Sequence, residues 1–373
     1  MSNTQETLGE LVRYGLDVSS RCHIDKDTNW EELYELALIQ GVSAIALDGV
    51  NRCFENGVNL DIDFQTKMDW IGEVTQMEQQ YRQYEKNLRK LGAFYQKHGI
   101  RMMVLKGYGL SLNYPIPCHR PCGDIDIYLF GEQERADQLI HDELGIELDK
   151  SHHHHTVFEF RGETVENHYD FLNVHVRPSN KRIEAKLKEL AHKNNQELEN
   201  SRIKSSNKSQ TENDIDNIVL PSVELNAVYL LRHCAAHFAS TEMTVRQALD
   251  WGFFMERHYK EINWNEYIPY LKEVGMYRFY NLLGLFCTSY LGFDASIFHG
   301  LLSDKLIDRY SNEILEPEFK DRENGNLLWS LWIKPRRWWH NRWKNRLCYK
   351  ESAWEEFAYG LWAKMLKPSH FGQ

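Results

Sequence analysis

An α+β fold, with one small mixed β-sheet flanked by helical N- and C-terminal regions, is predicted by three features of the sequence. Apolar residues recur at steps of three and four through residues 5–98 and again after Pro221, the spacing of amphipathic helices. Between them, residues 101–177 carry short apolar or alternating runs, the pattern of strands, and this is the one β-rich stretch. A composition 42% hydrophobic and 13% aromatic over 373 residues can fill the core of such a fold and excludes a largely disordered chain.

The elements follow in chain order. Residues 1–99 are expected to form a helical N-terminal region. Leu8, Leu11, Val12 and Tyr14 begin one amphipathic stretch, and Trp30, Leu33, Leu36, Ala37 and Ile39 a second. Over residues 64–98, Met68, Ile71, Val74, Met77, Tyr81, Tyr84, Leu88, Leu91 and Phe94 mark a long helix that Gly99 ends. Residues 100–180 form the α/β core, with strands expected at 102–105, 125–130, 157–160, 164–165 and 171–176 and a helix at 132–144. Residues 181–220, rich in Lys, Glu, Asn and Ser, read as a polar linker or excursion, most flexible over 200–217. Residues 221–373 return to helices, the first at 223–240, 244–259, 264–274 and 277–291.

A formal charge of −10 argues against general binding to a nucleic-acid backbone. The seven cysteines are odd in number, scattered and without zinc-ribbon spacing. The first ten residues are polar and acidic, and no apolar run approaches the roughly 18–20 residues of a spanning helix. A reduced, soluble, cytoplasmic protein without a transmembrane segment is the expectation.

Chemistry is expected around residues 104–126. Val104-Leu105-Lys106-Gly107-Tyr108-Gly109 reads as a strand followed by a glycine turn that opens a short helix. Arg120 follows in a loop, and Asp124-Ile125-Asp126-Ile127 begins a second strand. Alternation puts Asp124 and Asp126 on one face, about 6.6 Å apart, with Ile125 and Ile127 turned into the core. Two carboxylates so held suit a divalent metal, and a glycine turn at a helix start suits phosphate. Lys106, Gly107 and Arg120 are the candidates for triphosphate oxygens, Arg through its planar fork and Lys as a point charge. In the run from Glu163 to Asp170, a strand would set Glu166, His168 and Asp170 on one face, with Val165 and Tyr169 on the other. Glu166 is the candidate third metal ligand or the base, against the alternative of a polar strand face without metal. Together these residues suggest metal-assisted nucleotidyl transfer.

Other motifs are weaker. The run His152-His153-His154-His155 is read as a solvent-facing approach to the next strand, near the nucleotide, because no third or fourth zinc ligand is evident. His233 and His237, four apart on a helix with small residues between them, are core residues or line the acceptor site. Cys118 and Cys122 form a lone loop pair, a poor metal signal. Residues 334–350 carry seven Lys or Arg and no acid, interleaved with Trp338, Trp339 and Trp343. They can pack tryptophan faces beneath snorkelling arginines, or meet an anionic partner or a membrane surface.

Lys106-Gly107 with Tyr114-Pro115, Arg120 and Asp124-Ile125-Asp126 resemble the signature of the uncharacterised nucleotidyltransferase family in the DNA polymerase β-like superfamily. The run from Val165 to Phe171 is similar to its second signature, and 231–237 and 246–251 to its helical elements. The resemblance spans roughly residues 30–290. It implies a nucleotidyltransferase-type sheet wrapped by helices, Mg²⁺ or Mn²⁺ as cofactor, a nucleoside triphosphate (NTP) as substrate and an unidentified acceptor. Asp124, Asp126 and Glu166 would hold metal, and Lys106, Gly107 and Arg120 would meet the phosphates. His168, Asp170, His233 and His237 would stand near the acceptor or behind the ligands. The implied chemistry is in-line displacement at the α-phosphorus with two metal ions about 3.5–4 Å apart. This sequence departs at the turn: Lys106-Gly107-Tyr108 stands where the superfamily usually has Gly-Ser or Gly-Gly, and Asp124 follows Gly107 by 17 positions. A catalytically inactive nucleotide- or partner-binding protein on the same fold is the competing expectation.

Overall fold

The computed structural model describes residues 2–18, 23–152, 154–174, 177–204, 214–215, 218–240, 242–317, 327–351 and 354–355. The apolar spacing of the N-terminal region produces α1 (Asn3–Gly15), α2 (Trp30–Ile39), α3 (Ser43–Glu55) and the long α4 (Phe64–Lys97). Ser2 and Gln5 close a capping box on α1, and the Asn29 and Asp63 side chains cap α2 and α4. Helices α1 and α3 meet backbone to backbone. A Cβ on Gly15 would stand 2.2 Å from the Ile45 carbonyl oxygen, and one on Gly49 would stand 2.2 Å from that of Leu11.

The chain continues through β1 (Met102–Val104), α5 (Tyr108–Ser111), β2 (Ile125–Tyr128), α6 (Gln133–Leu144), β3 (His155–Phe160) and β4 (Glu163–His168). After these come α7 (Pro178–Lys204), β5 (Asp214–Ile215), β6 (Ile218–Val219), α8 (Val223–Ser240), α9 (Val245–His258), α10 (Trp264–Glu273), α11 (Tyr277–Ser289), α12 (Ile307–Leu315) and α13 (Leu327–Cys348). The fold is α+β, as the sequence predicts. Its sheet is mixed, with order β3-β4-β2-β1-β6-β5. The β2–β4 and β1–β6 pairs are parallel and the others antiparallel.

Alternation along the strands sends apolar side chains to two separate layers. Met102, Val104, Ile125, Ile127, Val165 and Ile218 pack with Leu88 and Leu91 of α4 and Ala136 and Ile140 of α6. Met103, Tyr128 and Val219 join Ile183 and Leu187 of α7, Leu225 and Tyr229 of α8, and the large helical core beyond. Helices α1–α3 share that large core directly with the C-terminal helices, and the sheet lies between it and the layer under α4 and α6. The β3–β4 hairpin turns at Arg161 (φ 58°) and Gly162 (φ 89°), the pair of left-handed residues that a two-residue hairpin demands. Asn87 of α4 holds this turn, donating to the Arg161 carbonyl at 3.3 Å and to Glu163 Oε1 at 3.1 Å.

Two expectations are corrected. Residues 181–204 are no linker. They continue α7, which buries Ile183, Leu187, Leu190, Ala191 and Leu198 at helical spacing beneath its Lys and Glu residues, and β6 at 218–219 then joins the sheet beside β1. Residues 205–213 and 216–217 of the expected excursion lie outside the described residues. Nor do residues 171–174 form a strand, because the Glu184 carboxylate takes the backbone N–H groups of Phe171 and Leu172, at 3.1 and 2.9 Å. Residues 175–176 lie outside the described residues.

The basic, tryptophan-rich segment packs over its described part. Trp343 sets its edge on Phe238 of α8, Arg309 covers Trp343 at 4.2 Å, and buried Lys344 pairs with Glu313 at 2.6 Å. Trp339 stays exposed. Among the described residues, no helix is long and apolar enough to cross a membrane.

Candidate active site

Parallel pairing of β2 with β4 sets Asp126 opposite Glu166, so both carboxylates rise from the sheet face that looks toward α8. Asp126 is only 6% exposed. Its Oδ1 accepts from Lys106 Nζ at 2.6 Å and from His168 Nε2 at 3.1 Å. The same His168 nitrogen lies 3.3 Å from Glu166 Oε2. One donor atom from each of Asp126, Glu166 and His168 falls within 4.8 Å of the others.

The charges in this cluster are unevenly balanced. Burial alone raises the Asp126 carboxyl, but the Lys106 ammonium and the His168 hydrogen bond win and hold it far below the usual carboxylate range. Glu166 is lowered as well, chiefly by the hydrogen bond from His168. Asp124 goes the other way: partial burial raises it, and its neighbours Glu166 and Asp126 raise it further. Burial lowers His168, yet its bonds to the two carboxylates leave its value raised. Asp126 and Glu166 thus carry their own counterions, whereas Asp124, at the exposed rim, is raised despite the Lys106 charge.

Gly107 is fixed by its surroundings. Its φ is +49°, and a Cβ there would meet Tyr84 Oη at 2.5 Å. That hydroxyl donates to the Asp124 carbonyl at 3.3 Å, tying the glycine turn to the start of β2. A half-open cleft of about 210 Å³ lies above, lined by Lys106, Asp124 and Asp126 on the sheet side and by His233, His237 and Arg246 on the helix side. The His233 and His237 rings stand 4.5 Å apart, edge to face. Burial and then the Lys106 charge lower both, His237 to about 4, so both are neutral at pH 7.

Arg120 borders the same cleft, but its guanidinium is engaged elsewhere. Nε and Nη2 donate to Asp250 Oδ1 and Oδ2 at 2.7 and 2.8 Å, a bidentate pair, and the Tyr114 hydroxyl donates to Asp250 Oδ1 at 2.7 Å. Arg246 is the cleft residue that sequence reasoning missed as a site residue. Its Nε is buried without a hydrogen-bond partner. A readable signal existed: Arg246 lies four residues before Asp250 on α9, on the same helix face.

Of the remaining candidates, Asp170 pairs with Lys188 of α7 and not with the Asp126 cluster. Of the histidine run, His152 is exposed as expected, whereas His154 and His155 are drawn in where β3 pairs with β4. His155 is 7% exposed, its ring 4.4 Å from that of His154 and 5.2 Å from that of His168. His153 lies outside the described residues. Cys122 contacts the Arg120 carbonyl, whereas Cys118 lies beside Glu78 and His119, whose ring nitrogens are already taken by Asp48 and Glu78.

A family model described as uncharacterised nucleotidyltransferase matches residues 26–292. No curated protein and no solved structure matches the chain.

Proposed function

Since the chain belongs to the uncharacterised nucleotidyltransferase family, we propose that it transfers a nucleoside monophosphate from an NTP to a hydroxyl acceptor. The observation that carries this reading is the register of β2 and β4, with Asp126 opposite Glu166 and Asp124 at the strand's start. Three carboxylates are the hard oxygen donors that Mg²⁺ or Mn²⁺ takes, so Asp124, Asp126 and Glu166 fit such an ion. When bound, a divalent metal neutralises triphosphate charge and acidifies the attacking hydroxyl.

The other residues bind and orient. Lys106 and Arg246 supply cationic charge to the phosphates, Lys106 beside the glycine turn and Arg246 from across the cleft. Arg120 acts through Asp250, holding the loop that delivers Asp124. The uncharged imidazoles of His233 and His237 are suited to accept a hydrogen bond from the acceptor hydroxyl. At about 210 Å³ the cleft is smaller than the ≈ 300–1,000 Å³ usual for whole ligands, so it takes the triphosphate and leaves the nucleoside at its mouth. A cytoplasmic setting fits the free thiols of Cys118, Cys122, Cys234, Cys287 and Cys348. The competing reading, a nucleotide-binding protein without turnover, draws on the commitment of Arg120 to Asp250.

The test is a thermal-shift panel of the four NTPs, each with and without Mg²⁺ or Mn²⁺, paired with a pyrophosphate-release assay. A ligand at 100 times its Kd adds about 2.7 kcal/mol. Metal-dependent stabilisation that vanishes in the double variant Asp124→Asn/Asp126→Asn supports the reading. Stabilisation without pyrophosphate release across acceptor panels favours the binding protein, and no response to any NTP removes both.

A further inference from the structure

We propose that His154, His155 and His168 form a separate site for a borderline transition-metal ion such as Zn²⁺, beside the carboxylate cluster. The β3–β4 register places His155 directly opposite His168. The Tyr169 N–H bonds the His154 carbonyl at 2.9 Å, bringing the third histidine to the same end of the hairpin. One ring nitrogen from each of the three lies within 4.8 Å of the others.

The unspent atoms point to a ligand. Nδ1 of each histidine is buried and has no hydrogen-bond partner, a costly condition for a polar atom and rare in triplicate. His168 and His155 are 3% and 7% exposed, so water cannot readily satisfy them. Neutral His168 directs Nε2–H at Asp126 and Glu166, which leaves the lone pair on Nδ1. That is how a carboxylate prepares an imidazole to hold a metal. Because the two carboxylates raise the His168 value, an ion binding there displaces the Nδ1 proton. Burial keeps His154 and His155 uncharged, the form that ligates. Imidazole donors select zinc-like ions, whereas Mg²⁺ prefers oxygen. Three protein ligands leave one position of a tetrahedral ion open. Through His168, the state of this site sets the hydrogen bonds that Asp126 and Glu166 receive.

The experiment uses full-length protein treated with a chelator and then titrated with Co²⁺, read by its visible absorption, with Zn²⁺ and Mg²⁺ as competitors. One Co²⁺ per chain, displaced by Zn²⁺ but not by Mg²⁺, is expected. His168→Gln and His155→Gln should each weaken binding about tenfold or more, and His152→Gln should leave it essentially unchanged. A histidine run can chelate without any built site, so His168→Gln, outside the run, decides. Unchanged Co²⁺ affinity in that variant overturns the proposal, as does a loss seen in His152→Gln alone. If the His168 variant does not fold, the wild-type chain answers. X-ray absorption of the Zn²⁺-loaded chain should show three imidazole nitrogens around the ion, and a coordination sphere with fewer overturns the proposal. Neither measurement includes nucleotide, so a negative result leaves the transferase reading where it stood.

Discussion

Strand β2 sends Ile125 and Ile127 to one side of the sheet and Asp126 and Tyr128 to the other, and the two sides obey different rules. Under α4 and α6 the layer is aliphatic and aromatic, each side chain stabilised by contact with any apolar neighbour of suitable size. Toward α8 the same backbone carries a buried carboxylate whose stability depends on two named partners, Lys106 and His168. An apolar layer spreads its energy over many small contacts, whereas a buried charge concentrates it in a few that cannot be exchanged. Substitutions on the two faces should therefore fail in different ways.

The largest expected effect is on the charged face. Asp126→Asn should lower pyrophosphate release at least about 100-fold, because it would remove a proposed metal ligand and leave the Lys106 ammonium facing a neutral amide. A variant retaining more than a tenth of the wild-type rate would take Asp126 out of the site. On the apolar face, Ile127→Ala should cost about 2–5 kcal/mol, read from the urea midpoint. The additional stabilisation by metal and NTP should persist in that variant at a temperature where it is folded. Loss of both would mean that the two faces are not separable.

The third test lies behind the charged face. Burial raises the Glu184 carboxyl from 4.5 to about 7, against the two backbone N–H bonds and Lys188 that lower it. The folded chain therefore holds a proton that the unfolded chain has released. This stabilisation is fully present below pH 4.5 and is lost as pH rises through about 7. It corresponds to roughly 3 kcal/mol at most. Urea midpoints at pH 5 and pH 8 should show the decline in wild type and a shallower one in Glu184→Gln; equal slopes would mean that Glu184 is ionised throughout. The smallest effect is expected at Arg246, where Arg246→Ala should weaken NTP binding about tenfold with little change in the urea midpoint. Undiminished affinity there would pass the phosphate role to Lys106 alone.

How much of this was legible depended on the distance over which each signal acts. Helices α4, α8 and α9 were readable because a three-to-four spacing lies within one element. The side-by-side placement of Asp126 and Glu166 followed from alternation in two short strands, once those strands were taken to be neighbours. Helix α7 was missed because its apolar positions are single residues among Lys, Asn and Glu, and composition hid their spacing. The Arg120–Asp250 pair joins residues 130 positions apart, and no local pattern announces which carboxylate a buried arginine will find. His155 looked exposed because a polar run ordinarily is; only its partner strand buries it.

The two-residue turn at Arg161 and Gly162 governs side-chain placement at the opposite end of its hairpin. Sidedness in a strand repeats every second position, so adding or removing one residue at that surface loop would rotate β3 by half a repeat and carry His155 away from His168. Replacing Arg161 with another residue that tolerates its backbone angle would leave the spacing intact. The loop acts as a ruler, more forgiving of which residues compose it than of how many.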